Sequence, residues 1–402
     1  MTRIIENLKK ILLTGLLSAL LPLNAAAESE LTGKVVAESR FFVEDASFAN
    51  QTDNQFSLSM EAEWYNDWND GIDSITFKPF FRYDSEDSER THGDIRELLW
   101  LHVGEDWELR TGIGKVYWGV TESQHLVDVV NQTDNVEAID GEQKLGQPMV
   151  HLSLIKEWGT IDAFVLPWFR ESNFASLDGR FRPGLEIKAE QALFESGAEE
   201  RHVDFALRWS HTIEDWDVGL SYFNGTDRNA GFKPGFDNAV YLKPYYAQME
   251  QFGADIQATI ESWLWKVEVI HRKTDADSFT AMTGGFEYTI GGVFDTVWDL
   301  GLLAEYQYDE RDDLVIAPGQ NDLFFGSRIA FNDADGTELL FGLVQDLDRS
   351  SSRSGLLEAS SRINDNWKWR VDAWFFQSDT VNEVTYAVRK DDFLQFSLEY
   401  YF

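Results

Sequence analysis

Histidine, serine and carboxylate side chains are the residues of this chain whose types could support hydrolysis. His151, His202 and His211 stand within a few residues of serines and acids, including Ser153 and Ser210. A hydrolytic triad requires nucleophile, base and acid to meet in space, and mere sequence proximity does not supply that geometry. The sequence holds no Gly-x-Ser-x-Gly elbow and no phosphate-binding loop. The pattern therefore does not predict an enzyme.

Two short acidic segments resemble fragments of calcium-binding loops. Residues 67–73 and 332–336 combine Asp, Asn and Gly at close spacing. Neither segment has the terminal Glu at the spacing that such a loop requires. Because Asp, Asn and Gly are also turn residues, we expect two tight turns here. The sequence predicts no metal site and no cofactor.

The overall charge and composition exclude several classes of protein. The 402 residues include 70 Asp plus Glu against 34 Lys plus Arg, a formal net charge of −36. Nucleic-acid binding needs a basic surface, so a nucleic-acid partner is not expected. There is no cysteine, and therefore no disulfide or thiolate site. The 15 Trp, 29 Phe and 13 Tyr are too many for a disordered chain.

The first 27 residues have the pattern of a secretory signal peptide. Arg3, Lys9 and Lys10 precede an apolar run from Ile11 to Leu23, and Ala25-Ala26-Ala27 follows it. This order of basic region, short apolar region and small-residue site is typical of an exported protein. We expect cleavage after residue 27, which leaves a single domain over residues 28–402.

The rest of the chain alternates apolar and polar residues with the period of a two-faced strand. Phe56, Leu58 and Met60, for example, alternate with Ser57 and Ser59. Counting such segments gives about 18 strands, with 16 as the alternative count. Short turns such as 69–71 and 214–215 alternate with longer polar loops such as 171–201. The sequence therefore predicts an all-β, transmembrane, antiparallel up-and-down barrel with short periplasmic turns and long extracellular loops.

The end of the chain carries a second indication of the same architecture. Leu394, Phe396, Leu398 and Tyr400 alternate with polar residues up to the terminal Phe402. This strand resembles the signal by which Gram-negative assembly machinery reads outer-membrane proteins. The resemblance implies that Phe402 acts as an assembly signal, and that the barrel assembly machinery, outer-membrane lipid and lipopolysaccharide are partners.

The segment from about 119 to 147 combines acids with apolar residues that a solvated loop does not need. It resembles the third loop of general porins, which bends into the lumen and forms an acidic side of the constriction. Residues 114–134 also resemble an uncharacterised porin-like family of proteobacteria. An extracellular flap with its own small core is the alternative. The acids expected at the constriction are Glu122, Asp128, Asp134, Glu137, Asp140 and Glu142.

Basic residues on the inward phase of the neighbouring strands are the expected counterpart of these acids. They are Lys78, Arg82, Arg96 and Arg110. Facing an acidic loop, they would create a field across the pore that favours polar solutes. The alternative is that they merely pair with inward acids such as Glu61, Glu63 and Glu108.

These features predict a porin of the bacterial outer membrane rather than an enzyme. The expected activity is passive diffusion of small hydrophilic solutes, with a mild preference for cations because acids predominate. A substrate-specific or hydrophobic-compound transporter and an outer-membrane hydrolase are the alternatives. Porins often form homotrimers, but no pattern in this sequence requires one.

Overall fold

The computed structural model describes residues 28–137, 139–311 and 315–402, and the predicted signal peptide at 1–27 lies outside them. The strands are β1 Glu28–Phe42, β2 Asn54–Trp68, β3 Asp73–Asp84, β4 Gly93–Val103, β5 Trp107–Gly114, β6 Gln147–Lys156, β7 Gly159–Leu166, β8 Leu193–Phe194, β9 Asp204–Ile213, β10 Trp216–Thr226, β11 Gly231–Phe236, β12 Val240–Tyr246, β13 Gln248–Ile260, β14 Trp263–Thr274, β15 Ser278–Ile290, β16 Asp299–Asp309, β17 Asn321–Ala330, β18 Glu338–Asp346, β19 Arg353–Asn364, β20 Trp367–Gln377 and β21 Phe393–Tyr401. Short 3-10 helices cover Ala189–Gln191, Glu199–Arg201 and Val293–Asp295, and an α-helical turn covers Val384–Ala387.

Eighteen of these strands form one antiparallel sheet that closes on itself. β1 pairs with β2 on one side and with β21 on the other, so the first and last strands complete the barrel. β8, β11 and β12 form a separate three-stranded sheet within the loops. The predicted closed barrel of about 18 strands is therefore confirmed.

The alternation along each strand separates an apolar outer surface from a polar interior. On β2, Phe56 and Leu58 are 46% and 43% exposed, whereas Ser57 and Ser59 are 1% and 5% exposed. The outward side chains are thus the large apolar ones, as lipid contact requires. No helix among the described residues is long and apolar enough to cross a membrane.

One end of the barrel carries short turns and the other carries the long loops. The short-turn end consists of residues 69–72, 104–106, 157–158, 214–215, 261–262, 291–298, 331–337 and 365–366. The other end, here called the mouth, consists of residues 43–53, 85–92, 115–146, 167–203, 227–247, 275–277, 310–320, 347–352 and 378–392. Two connections at the mouth, 275–277 and 347–352, are short where the others are long, and the sequence pattern did not reveal them.

Both segments that resemble calcium loops are turns whose polar side chains bind within the turn. Asn69 Nδ2 donates to the Asp73 carboxylate at 2.7 Å. The Asp333 carboxylate accepts from the Thr337 backbone N–H at 2.9 Å. These hydrogen bonds satisfy the carboxylates as turn caps and explain the residue types without an ion.

A β-bulge between β3 and β4 brings an additional basic residue into the interior. Lys78 pairs with Glu97 and Pro79 pairs with Ile95, so Arg96 has no partner residue on β3. Proline has no backbone N–H to offer the ladder, which makes this position suited to a bulge. The Arg96 side chain is consequently directed inward and is almost fully buried.

Candidate pore constriction

The loop of residues 115–146, here called the lumen loop, leaves the wall after β5 and contacts two distant sectors of the barrel interior. Its first arm, residues 119–127, binds β14 and β16 through two buried carboxylates. Glu268 accepts hydrogen bonds from the Val120 and Thr121 N–H groups at 2.7 and 3.0 Å. Glu305 accepts from the N–H groups of Glu122 and Ser123 at 2.9 and 2.8 Å. The loop therefore reaches the side of the barrel opposite its origin.

Glycine at position 119 permits this close approach. Gly119 has a φ of +116°, and a Cβ there would lie 2.6 Å from Glu268 Oε1. Any side chain would strain the backbone and displace the carboxylate that caps the arm. The close approach of the arm to Glu268 thus explains why glycine follows Trp118.

Glu122 connects the first arm to two basic residues of the wall. Its carboxylate lies 2.9 Å from Lys266 Nζ on β14 and is also bound by Arg328 on β17. Burial raises the pKa of Glu122, but the two cations outweigh burial and lower it. Glu122 is therefore an ionised bridge between loop and wall.

The second arm, residues 132–142, binds the sector of β1 to β4. Asp134 accepts from Arg96 Nη2 at 2.6 Å, and both side chains are nearly inaccessible. Glu137 accepts from Arg82 at 2.9 Å and contacts His92 at 2.8 Å. Although burial alone would raise the pKa of Glu137, His92 and Arg82 lower it to about 2.

His92, Asp134 and Glu137 place three potential ligand atoms within 4.8 Å of one another. A cation at this point would face two guanidinium groups that already bind the same carboxylates. A buried carboxylate is satisfied by such pairing. The cluster is better described as the anchor of the second arm than as a metal centre.

The other two predicted basic residues pair with acids of the wall itself. Lys78 Nζ lies 2.6 Å from Glu63 and 3.8 Å from Glu97. Arg110 lies 2.5 Å from Glu108 on its own strand. All four basic residues of the predicted ladder thus have carboxylate partners, two on the loop and two on the wall. Their charge is neutralised locally.

The remaining acids of the lumen loop differ in their accessibility. Asp128 is buried against Lys144 at 3.3 Å, and burial raises its pKa. Glu142 contacts His125 at 2.8 Å and is exposed. The hydrogen bond to Glu142 and the nearby Glu268 carboxylate raise the pKa of His125 to about 10, so its imidazole is charged at neutral pH. Asp140 is exposed and has no ion-pair partner among the described residues.

Beside β18 to β21 the lumen loop only packs against the wall, with Ile139 against the apolar cluster that includes Phe376 and Phe393. Within the described residues, no hydrogen bond or ion pair joins the lumen loop to these four strands. Their inner face presents Arg370, which lies 3.4 Å from Glu358 and 3.1 Å from Asp372. The Arg370 side chain is 45% exposed, unlike the buried Arg82 and Arg96. The strand alternation places Arg370 on the inner face, but nothing local in the sequence indicates to which wall the lumen loop is not bonded.

A second long loop, residues 167–203, crosses the mouth and is here called the mouth loop. Arg180 at its centre donates to Asp391 at 2.7 Å and to the Lys390 carbonyl at 2.6 Å. Its guanidinium lies 4.1 Å from the centre of the Phe42 ring. The mouth loop is thereby fastened to the loops beside β1 and β21, far from its origin at β7.

One set of candidate catalytic residues does converge inside the barrel. Ser153 Oγ lies 3.0 Å from His151 Nε2, and Asp162 lies 2.8 Å from that same nitrogen. A relay needs the serine and the acid on different imidazole nitrogens. Ser153 also donates directly to Asp162 at 2.5 Å. The three residues form a buried polar cluster whose arrangement is not that of a triad.

No protein-family model and no curated protein matches this chain, whereas solved structures do. A BenF-like porin from Pseudomonas fluorescens aligns over 95% of this chain and 99% of its own, at 11% identity and a TM-score of 0.52. Wzi of Escherichia coli, described as a carbohydrate-binding β-barrel involved in group 1 capsule assembly, aligns over 91% and 83%, at 10% identity and a TM-score of 0.52. OmpT, an outer membrane protein of Vibrio cholerae, covers 94% and 100%, at 10% identity and a TM-score of 0.48.

The likenesses to the BenF-like porin and to Wzi establish the fold. The chain has the closed, antiparallel architecture of porin-type outer-membrane barrels. Identities of about a tenth carry no information on solute or activity.

Proposed function

We propose that this protein is an outer-membrane porin that passes small hydrophilic solutes by diffusion, with a mild preference for cations. The observation that carries the proposal is the difference in exposure among the charges of the lumen. Asp140 on the lumen loop is exposed without an ion-pair partner among the described residues, and Glu142 is exposed beside His125, whereas the four basic residues expected to oppose them are paired with carboxylates. Exposed acids beside a polar wall attract cations and hydrated solutes.

The location of the constriction follows from the contacts of the lumen loop. The loop is bound to both flanking sectors of the wall, so we place the eyelet between residues 140–142 and the inner face of β19 and β20. Arg370 is then the basic residue with most influence on selectivity, because it is only partly screened by Glu358 and Asp372. This position differs from the β3 to β5 ladder expected from sequence.

The proposed partners and localisation follow from the same architecture. The apolar belt suits outer-membrane lipid and lipopolysaccharide, and export requires the predicted signal peptide. Phe402 is the proposed recognition point for the barrel assembly machinery. Among the described residues, the Ser153 cluster lacks the relay that a hydrolase would need.

Single-channel conductance with reversal potentials in a salt gradient tests the proposal. The refolded barrel should conduct steadily with a cation-side reversal potential. Asp140→Asn with Glu142→Gln should lower the cation-to-anion permeability ratio by roughly a factor of two or more, and Arg370→Gln should raise it. Glu214→Gln with Asp215→Asn is the matched control, since it removes the same charge from an exposed short turn.

Two results would contradict the proposal. Absence of conductance from a barrel that shows the heat-modifiable mobility of the folded state would exclude an open pore. An unchanged permeability ratio in the Asp140/Glu142 variant would exclude the assigned eyelet.

A further inference from the structure

A small cavity lies at the mouth side of the lumen loop, where three loops meet the seam of the barrel. Its volume is about 190 Å³. It is lined by Arg40 of β1, Phe393 of β21, Phe181 of the mouth loop, Val388, and Asn135, Val136, Glu137, Ile139 and Gly141 of the lumen loop. This cavity adjoins the proposed eyelet, with which it shares Gly141.

Arg40 is the unusual member of this lining. Its Nε and Nη2 atoms donate to one neutral acceptor, Gln395 Oε1, at 2.9 and 2.7 Å. The nearest carboxylate oxygen, on Glu38, is 3.7 Å away. Nη1 makes no hydrogen bond to any described residue, although the side chain is only 9% exposed. Buried guanidinium groups normally have a carboxylate or carbonyl at each edge, so this one has unused donor capacity.

The nearby arginines, unlike Arg40, each form close ion pairs with two carboxylates. Arg90 lies 2.7 Å from Glu38 and 2.8 Å from Asp84. Arg82 binds Glu137 and Glu38. The carboxylates around Arg40 are thus already bound by other cations. An added anion would complete the pairing of Arg40.

The remainder of the cavity combines polar and apolar surface, since Asn135 and Glu137 also line it. Val136, Ile139 and Val388 contribute aliphatic surface. The Phe393 and Phe181 rings lie with their centres 4.6 and 5.3 Å from the Arg40 guanidinium carbon. An apolar cavity of about 150 Å³ is sufficient for benzene. A single ring with one carboxylate therefore suits the volume and the chemistry, because Arg40 can pair with the carboxylate and the aliphatic and aromatic side chains can pack against the ring.

We propose that this cavity is a binding site for a small carboxylate with an apolar body, whose carboxylate pairs with Arg40. The Glu137 carboxylate also borders the cavity, but Arg82 and His92 hold it. A charge-assisted hydrogen bond in a desolvated pocket favours the anion over a neutral compound of equal size. The site lies at the mouth, where it would retain such solutes before the constriction.

Benzoate is the probe for this site. Its binding to the folded barrel in detergent is measured at pH 7.5 by saturation-transfer NMR, beside benzyl alcohol and acetate. Benzoate should bind at least tenfold more tightly than either, because only benzoate has both the charge and the ring. Arg40→Gln should weaken benzoate binding at least tenfold.

Two further variants keep the test decisive. Ile139→Phe leaves Arg40 and its partners in place but fills the cavity, and it should abolish benzoate binding. Lys34→Gln removes a positive charge from the same strand outside the cavity and should leave binding unchanged. If benzoate binds no better than benzyl alcohol, or if Ile139→Phe still binds it, the proposal is wrong. A barrel that binds benzoate but does not conduct would instead contradict only the porin proposal.

Discussion

Arginines inside this barrel mostly hold loops in place. Arg82 and Arg96 bind the acids of the lumen loop, and Arg180 fastens the mouth loop to Asp391. These guanidiniums are buried, and loss of one partner would leave an uncompensated charge that costs about 3–5 kcal/mol. Their replacement is therefore expected to release a loop rather than to alter selectivity directly. Replacement of the half-exposed Arg370 is instead expected to alter selectivity directly.

His125 gives the first arm of the lumen loop a pH dependence. Its pKa is raised to about 10 when it contacts Glu142 and Glu268, against 6.5 for a free histidine. The contact therefore stabilises the docked arm fully below pH 6.5, and this stabilisation declines as pH rises toward 10. Hydrogen exchange of amides 119–127, corrected for intrinsic rates, should accelerate over this range.

The variant His125→Gln should remove that pH dependence. His271→Gln, which changes an exposed histidine at the mouth end of β14, is the control. Faster exchange on acidification from pH 9 to pH 6 in the unaltered protein would contradict the assignment.

At the scale of the element, the lumen loop is a segment without regular structure that depends on the wall for its hydrogen bonds. Glu268 and Glu305 satisfy four of its backbone N–H groups between Val120 and Ser123. Buried N–H groups left without acceptors cost about 1–3 kcal/mol each. The two glutamates therefore act as the fixed acceptors that a neighbouring strand would otherwise supply.

Replacing both glutamates by alanine should detach the first arm. We expect larger and noisier single-channel currents, together with new protease cleavage between residues 119 and 127. Glu287→Ala, an inward acid of β15 that does not contact the loop, should change neither. Quiet currents of unaltered size in the double variant would show that the arm is held by other contacts.

At the scale of the whole molecule, closure depends on the seam between β1 and β21. Phe402 and Gly33 exchange two backbone hydrogen bonds of 3.0 Å at the end of this seam. A Cβ on Gly33 would lie 2.6 Å from the Phe402 ring, so glycine is required for the ring to pack there. The terminal residue thus has a structural role besides its proposed role in assembly.

Deletion of Phe402 should lower the amount of folded barrel in outer membranes by a factor of about three or more. The measurement is the heat-modifiable fraction on gels. Phe236→Ala, at an exposed loop tip, is the control for loss of a phenylalanine. Refolding of the purified protein in lipid distinguishes the structural role from the assembly role. A defect in recognition by the assembly machinery alone would leave refolding unchanged. If the deletion leaves the amount of folded protein in cells unchanged, both the structural role and the assembly role of Phe402 are excluded.

The barrel could be predicted from sequence because its strands obey a local rule. Each residue faces lipid or lumen according to its parity, as Phe56 and Ser57 do, and lipid allows no other all-strand solution than closure. The approximate number of strands and most of the turns followed from that periodicity, whereas the acidic loop followed from its composition and its resemblance to the third loop of porins. Arg96 was also assigned inward, although the bulge that places it there was not foreseen.

The pairing of the charges was decided only by the tertiary structure. Arg82 and Glu137 are 55 residues apart, and Glu122 and Arg328 are 206 apart, so no local pattern relates them. Which wall a loop covers depends on hydrogen bonds and packing across the lumen, as between Glu268 and Val120. The sequence by itself therefore determined the closed barrel and its two faces. The proposed position of the eyelet and the surroundings of Arg40 depend on contacts that exist only after closure.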